Sequence, residues 1–126
     1  MTNATKFVIE NNIATITLDQ ADKHNAFDDR IIAELRAHLK VITETPTVRA
    51  FVLKAEGKHF CAGADLAWMK RMAELSYAEN QQDAQNLASL LAELNDLPIP
   101  SIVRVQGAAY GGAIGLIACC DIAIAS

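Results

Sequence analysis

The chain has 126 residues, 52% of them hydrophobic and 21% charged, with a formal net charge of −4. This is the balance of one folded domain, not of a disordered segment. The acidic balance, the scattered basic residues, the absence of an apolar leader in residues 1–6 and the shortness of the longest apolar run exclude nucleic acid and membrane as expected partners. Cys61, Cys119 and Cys120 are an odd set with two neighbours adjacent, which fits a reducing compartment and thiols used as small buried hydrophobes. A cytoplasmic location is therefore expected.

In chain order, Phe7 and Ile9, then Ala14, Ile16 and Leu18, alternate with Val8, Thr15 and Thr17 around Asn11-Asn12, which predicts a hairpin. Asp28 can cap a helix whose apolar stripe is Ile31, Leu35, Leu39 and Ile42, with Pro46 after its end. Ala50-Phe51-Val52-Leu53 lacks alternation, as expected of a strand buried on both faces of a parallel sheet. The loop from Glu56 to Asp65 then gives way to helical spacing at Leu66, Trp68, Met69 and Met72, with Asp65 as N-cap. Ser76-Tyr77-Ala78-Glu79 reads as a capping box before a long helix carrying Leu87, Leu90, Leu91 and Leu94, which stops before Pro98 and Pro100. Residues 101–105 form a strand, the turn from Gly107 to Gly112 opens another helix, and Ile122-Ala123-Ile124 starts a further strand. Strand and helix alternating through short links predict right-handed βαβ crossovers and an α/β layered domain. A last strand rich in Ile and Ala, with nothing after it to cover its second face, reads as the truncated C-terminal side of that domain.

Two loops share one design. Each runs from a buried strand through small residues into a helix, at 62–65 and at 107–112, so backbone amides at both helix starts can face a common anion. Small side chains let a ligand approach the backbone, and partial positive charge stands where an oxyanion would develop. Taken alone, either loop is better explained by glycines that merely permit a strand-to-helix turn. Gly107 and Gly112 have the glycine spacing of a phosphate-binding loop, but Ala113 and Ile114 follow where Lys and Ser or Thr belong. The dinucleotide fingerprint also fails, because Ala109 occupies the place of its second glycine. His59, Cys61 and Asp65 do not make a nucleophilic set, since His59 and Cys61 are two residues apart and that spacing does not align thiol, base and orienter. Cys119 and Cys120 lack the gap of a zinc knuckle, so no metal site is expected. Trp68, Met69 and Met72 fit either an acyl pocket or ordinary packing.

Three segments in order resemble the enoyl-CoA hydratase/isomerase (crotonase) family. They are Lys23-His24-Asn25-Ala26-Phe27, then Phe60-Cys61-Ala62-Gly63-Ala64-Asp65-Leu66, then Gly107-Ala108-Ala109-Tyr110-Gly111-Gly112 with Cys120-Asp121-Ile122. The resemblance implies a crotonase-like fold of layered ββα repeats, with residues 1–126 as the N-terminal part of a single domain. It also implies hydration of an α,β-unsaturated acyl-CoA thioester. Backbone amides of Ala64 and Gly112 would hold the thioester oxygen as an oxyanion hole, and Lys23, His24, Ala26, Ala62, Gly63, Asp65, Leu66 and Tyr110 would line the substrate. Coenzyme A enters as part of that substrate, no cofactor is bound permanently, and trimers or dimers of trimers are expected. A lone loop lysine such as Lys23 is equally explained by simple solvation. The wording of residues 113–121 resembles the branch acting on methylglutaconyl-CoA.

One departure bears on mechanism. Gly115 stands where the hydratases carry their first catalytic glutamate, and the family's second would fall beyond Ser126, so neither acid of the expected pair is in this chain. Two rival readings follow: a catalytically incompetent acyl-CoA-binding or assembly module, and a serine peptidase on the related Clp-like fold. The second needs a serine in one of the two loops, and neither has one.

Overall fold

The computed structural model describes residues 3–126. Strands β1 (Thr5–Glu10) and β2 (Ile13–Leu18) form the expected hairpin, paired from Thr5↔Leu18 to Glu10↔Ile13. Asn11 and Asn12 turn it at φ 53° and 65°, the left-handed pair a two-residue turn requires and asparagine tolerates. Helix α1 (Asp29–Thr43) starts where the Asp28 carboxylate accepts the Ile31 N–H at 3.0 Å, and it buries Ile31, Leu35, Leu39 and Ile42 in one stripe. Strand β3 (Ala50–Ala55) follows, then α2 (Leu66–Ala73), α3 (Tyr77–Asn95), β4 (Ser101–Val105), α4 (Gly112–Ala118) and β5 (Ile122–Ala125). The Asp65 carboxylate caps α2 by accepting from Trp68 N–H at 3.1 Å. Ser76 caps α3 by accepting from Glu79 N–H at 3.2 Å. Glu79 completes this box differently from expectation, taking the Ser76 hydroxyl proton at 2.9 Å.

The five strands lie in sequence order in one sheet, the first pair antiparallel and each later pair parallel. Helix α1 links β2 to β3, α2 and α3 link β3 to β4, and α4 links β4 to β5, so each parallel step carries the helical crossover it needs. The core sits where Ile16, Phe51, Leu53 and Val103 of the sheet meet Leu35 and Leu39 of α1, Leu90 and Leu94 of α3, and Leu116 of α4. Burying a side chain of this size stabilises by about 1.5–3 kcal/mol. Strand β3 corrects its expectation. Phe51, Leu53 and Ala55 are buried, but Ala50, Val52 and Lys54 are only half-buried, so one face is sealed and the other partly open. On β5 every residue is exposed. No helix among the described residues is long and apolar enough to cross a membrane.

A polar clamp fastens β1 to α1. Glu34 accepts from the backbone N–H of Ala4 at 3.2 Å, the N–H of Thr5 at 3.1 Å and the Thr5 hydroxyl at 2.7 Å. His38 Nε2 lies 2.8 Å from the same hydroxyl, with Phe7 stacked on its ring at 4.6 Å. Burial lowers the His38 pKa, and the charge of Glu34 opposes that shift. The fold thus favours the neutral imidazole, so its stabilisation is complete above the ordinary histidine range and is lost as the pH falls through it. Urea midpoints should therefore fall more for the native chain than for His38→Gln between about pH 7 and about pH 5. Parallel titrations of the two proteins would contradict this.

Candidate active site

Three loops meet at the C-terminal ends of β2, β3 and β4, the edge where parallel α/β sheets place their ligands. Backbone hydrogen bonds join them directly. Phe27 N–H donates to Gly63 O and Asp65 N–H to Phe27 O, both at 2.8 Å, and Ala62 N–H donates to His24 O at 2.9 Å. On the other side, Phe60 N–H donates to Gln106 O at 2.8 Å, Cys61 N–H to Ala108 O at 3.3 Å, and Tyr110 N–H to Cys61 O at 3.1 Å. These bonds make two parallel bridges, Phe27 with Ala64 and Cys61 with Ala109, so the three loops share two rungs of a minimal second β-layer, the middle loop taking part in both.

The bridges decide which amides are left over. In a parallel bridge one residue spends its own N–H and C=O, as Phe27 does, while its partner is held through its neighbours' groups and turns its own N–H to the other side. Around Ala64 the ladder uses Gly63 O and Asp65 N, and the Ala64 N–H has no acceptor among the described residues. Gly112 is the first residue of α4, where an N–H has no intrahelical partner. Ala113 and Ile114 donate to Tyr110 O at 3.0 Å and Gly111 O at 3.1 Å, whereas the Gly112 N–H also lacks an acceptor among the described residues. The loops touch closely here. Gly63 stands at φ 90°, and a Cβ on it would lie 2.9 Å from Tyr110 O; a Cβ on Gly112 would run into the Phe27 ring.

Around these amides most of the side chains are structural. Asp65 is committed to capping α2, and Trp68 is buried and tilted against Phe27 at 6.2 Å, so of the three residues open to two readings it belongs to packing. Met69 is exposed, and Met72 packs against the core edge. Leu66 is 70% exposed and Tyr110 63%, leaving both free to meet a ligand, and Lys23 ends a 3₁₀ turn on the surface. His24 and Ala26 enter through the backbone, His24 O accepting from Ala62 and Ala26 N–H donating to Lys23 O at 3.1 Å. Cys61 is fully buried, its Sγ 3.2 Å from Asn25 O, and burial raises its pKa, so it is no nucleophile. Burial likewise pushes the Cys120 thiol up to about 11 and raises Cys119. Among the described residues no group of three or more His, Cys, Asp or Glu could hold a metal ion. A Cβ on Gly115 would lie 3.5 Å from both Leu91 δ-methyls, so this position faces an apolar wall.

Asn25 is the residue sequence reasoning undervalued. Only 2% exposed, it sits at φ 57°. Its Oδ1 accepts from Gln20 N–H at 2.8 Å, and its Nδ2 donates to Glu56 O at 2.8 Å and His59 O at 3.1 Å. The available signal was an asparagine, tolerant of left-handed backbone, amid small residues in a loop between strand and helix.

Sequence comparison agrees with this architecture. Residues 8–126 match the family described as Enoyl-CoA hydratase/isomerase, and the chain belongs to that family. A crystal structure of an enoyl-CoA hydratase from Shewanella pealeana superposes with a TM-score of 0.95 at 44% identity, over 97% of this chain and 46% of that one. An enoyl-CoA hydratase from Mycobacterium smegmatis gives a TM-score of 0.90 at 32% identity, over 97% of this chain and 47% of that one. The enoyl-CoA isomerase/hydratase fer4 of Mycosarcoma maydis is 33% identical over 119 residues, 88% of this chain and 42% of its own. The fold is thus α/β and crotonase-like, and the chain spans under half the length of the curated relatives it matches.

Replacing Asn25 by Ala leaves one backbone N–H and two carbonyls without their partners in a part-buried place, and we expect a loss of about 2 kcal/mol in urea unfolding. A loss under about 0.5 kcal/mol would show that water replaces the amide there without cost.

Proposed function

We propose that this chain carries the thioester-polarising centre of a crotonase-type acyl-CoA enzyme, which hydrates the double bond of an α,β-unsaturated acyl-CoA. The supporting observation is the pair of unpartnered amides, Ala64 N–H and Gly112 N–H, on two loops bonded to each other. Water attacks the β-carbon and gives up one proton, the π electron pair moves to the thioester oxygen as an enolate, and as the carbonyl re-forms the α-carbon takes up a proton, so that one water is added in all. Two preorganised donors at that oxygen act where the charge develops, each worth about 3–4 kcal/mol. In this reading Ala62, Gly63 and Asp65 offer backbone to coenzyme A, Lys23, His24 and Ala26 line its approach, and Leu66 and Tyr110 flank the acyl group. A cytoplasmic trimer or hexamer of the whole polypeptide belongs to the same reading, as does a branched methylglutaconyl-type substrate, supported by the wording of residues 113–121.

Gly115 favours a second reading, binding and polarisation without hydration, because no carboxylate stands there to move the proton. Crotonyl-CoA and methylglutaconyl-CoA separate the two. Hydration abolishes the absorbance of the conjugated thioester, and this loss supports the first reading. Saturable binding with no loss supports the second reading. Failure to bind either thioester overturns both.

A further inference from the structure

We infer that His59 is a positioning residue: through its Nδ1 it fixes the loop that presents the Gly112 amide. This deepens the reading above and rests on it. Between Gln106 and Tyr110 the second loop is tied to the first by Cys61 N–H donating to Ala108 O, at 3.3 Å the longest of the three backbone bonds on that side. The Ala108 N–H turns the other way and donates to His59 Nδ1 at 3.0 Å, a side-chain grip directly before the Ala109 bridge and four residues before Gly112. His59 is itself held: its backbone carbonyl accepts from Asn25 Nδ2 at 3.1 Å, and the His24 ring stands edge-on to its imidazole at 5.2 Å. An accepting Nδ1 places the ring proton on Nε2.

Gly107 shows that the approach is tight. It stands at φ 60°, and a Cβ there would lie 2.8 Å from His59 Nδ1 and 3.1 Å from His59 Cα, besides overlapping Lys58 O. Only glycine lets the loop come close enough for Ala108 to reach the ring. Shifting Ala108 moves the bridge, and with it the direction of the Gly112 N–H relative to that of Ala64.

His59→Asn keeps an acceptor, Oδ1, at the place of Nδ1, and His59→Leu removes it. A dimethylaminocinnamoyl-CoA, whose absorption moves to the red when its carbonyl is polarised, reads polarisation separately from affinity. The Leu variant should lose at least about half of the red shift while its Kd for free coenzyme A changes by less than about twofold, and the Asn variant should keep the native shift. Amide exchange at Ala108 should be about tenfold or more faster in the Leu variant and near native in the Asn variant. Native exchange at Ala108 in the Leu variant, or a native red shift in it, overturns the inference. If the native protein polarises no thioester, the catalytic reading fails, and the exchange measurement still decides whether His59 holds the loop.

Discussion

Everything in the candidate site depends on backbone meeting backbone. Three loops from successive strands approach within hydrogen-bonding distance with no side chain between them, and the Phe27–Ala64 and Cys61–Ala109 bridges are the result. This requirement explains residue choices that would otherwise look like loop composition. Gly63 and Gly107 lie at positive φ with the opposing backbone where a Cβ would be, and Gly112 lies under the Phe27 ring. Once the loops are so locked, the ladder consumes the neighbours' polar groups and leaves Ala64 N–H without a partner. On the proposed reading the chemistry would be a by-product of the packing register, which ordinary side chains can hold in place but need not supply.

In the proposed reading the Gly112 N–H would act as a single oriented amide. Helix α4 has only seven residues, so little helix dipole stands behind the group. Precision has to come from the supports instead: Asn25, which ties its own loop to the loop of Glu56 and His59, and the fully buried Phe60 and Cys61. An oxyanion donor displaced by a fraction of an ångström loses much of its value, which gives a physical reason for so much buried hydrogen bonding around two unadorned amides.

Local rules made much of the fold legible. The hairpin followed from alternation and an Asn-Asn turn, and the caps at Asp28, Asp65 and Ser76 lie where short-range chemistry puts them. The openness of one face of β3 was not legible, because how completely a face is covered depends on helices distant in sequence. The two glycine-bearing loops could be paired in advance by their common strand–small–helix design. The roles of Asn25 and His59 could not, since both act through bonds to backbone 31 to 49 residues away, and no spacing rule encodes such a partner. Trp68 was balanced between pocket and packing until its contact with Phe27 decided it.

For a chain of 13.6 kDa the central claim is open to a direct titration by amide NMR. Adding an unreactive acyl-CoA thioester should shift the Ala64 and Gly112 resonances together along one binding curve, while free coenzyme A should leave Gly112 nearly unmoved. Large shifts confined to other parts of the molecule, or Ala64 and Gly112 responding with different affinities, would contradict a shared oxygen between them.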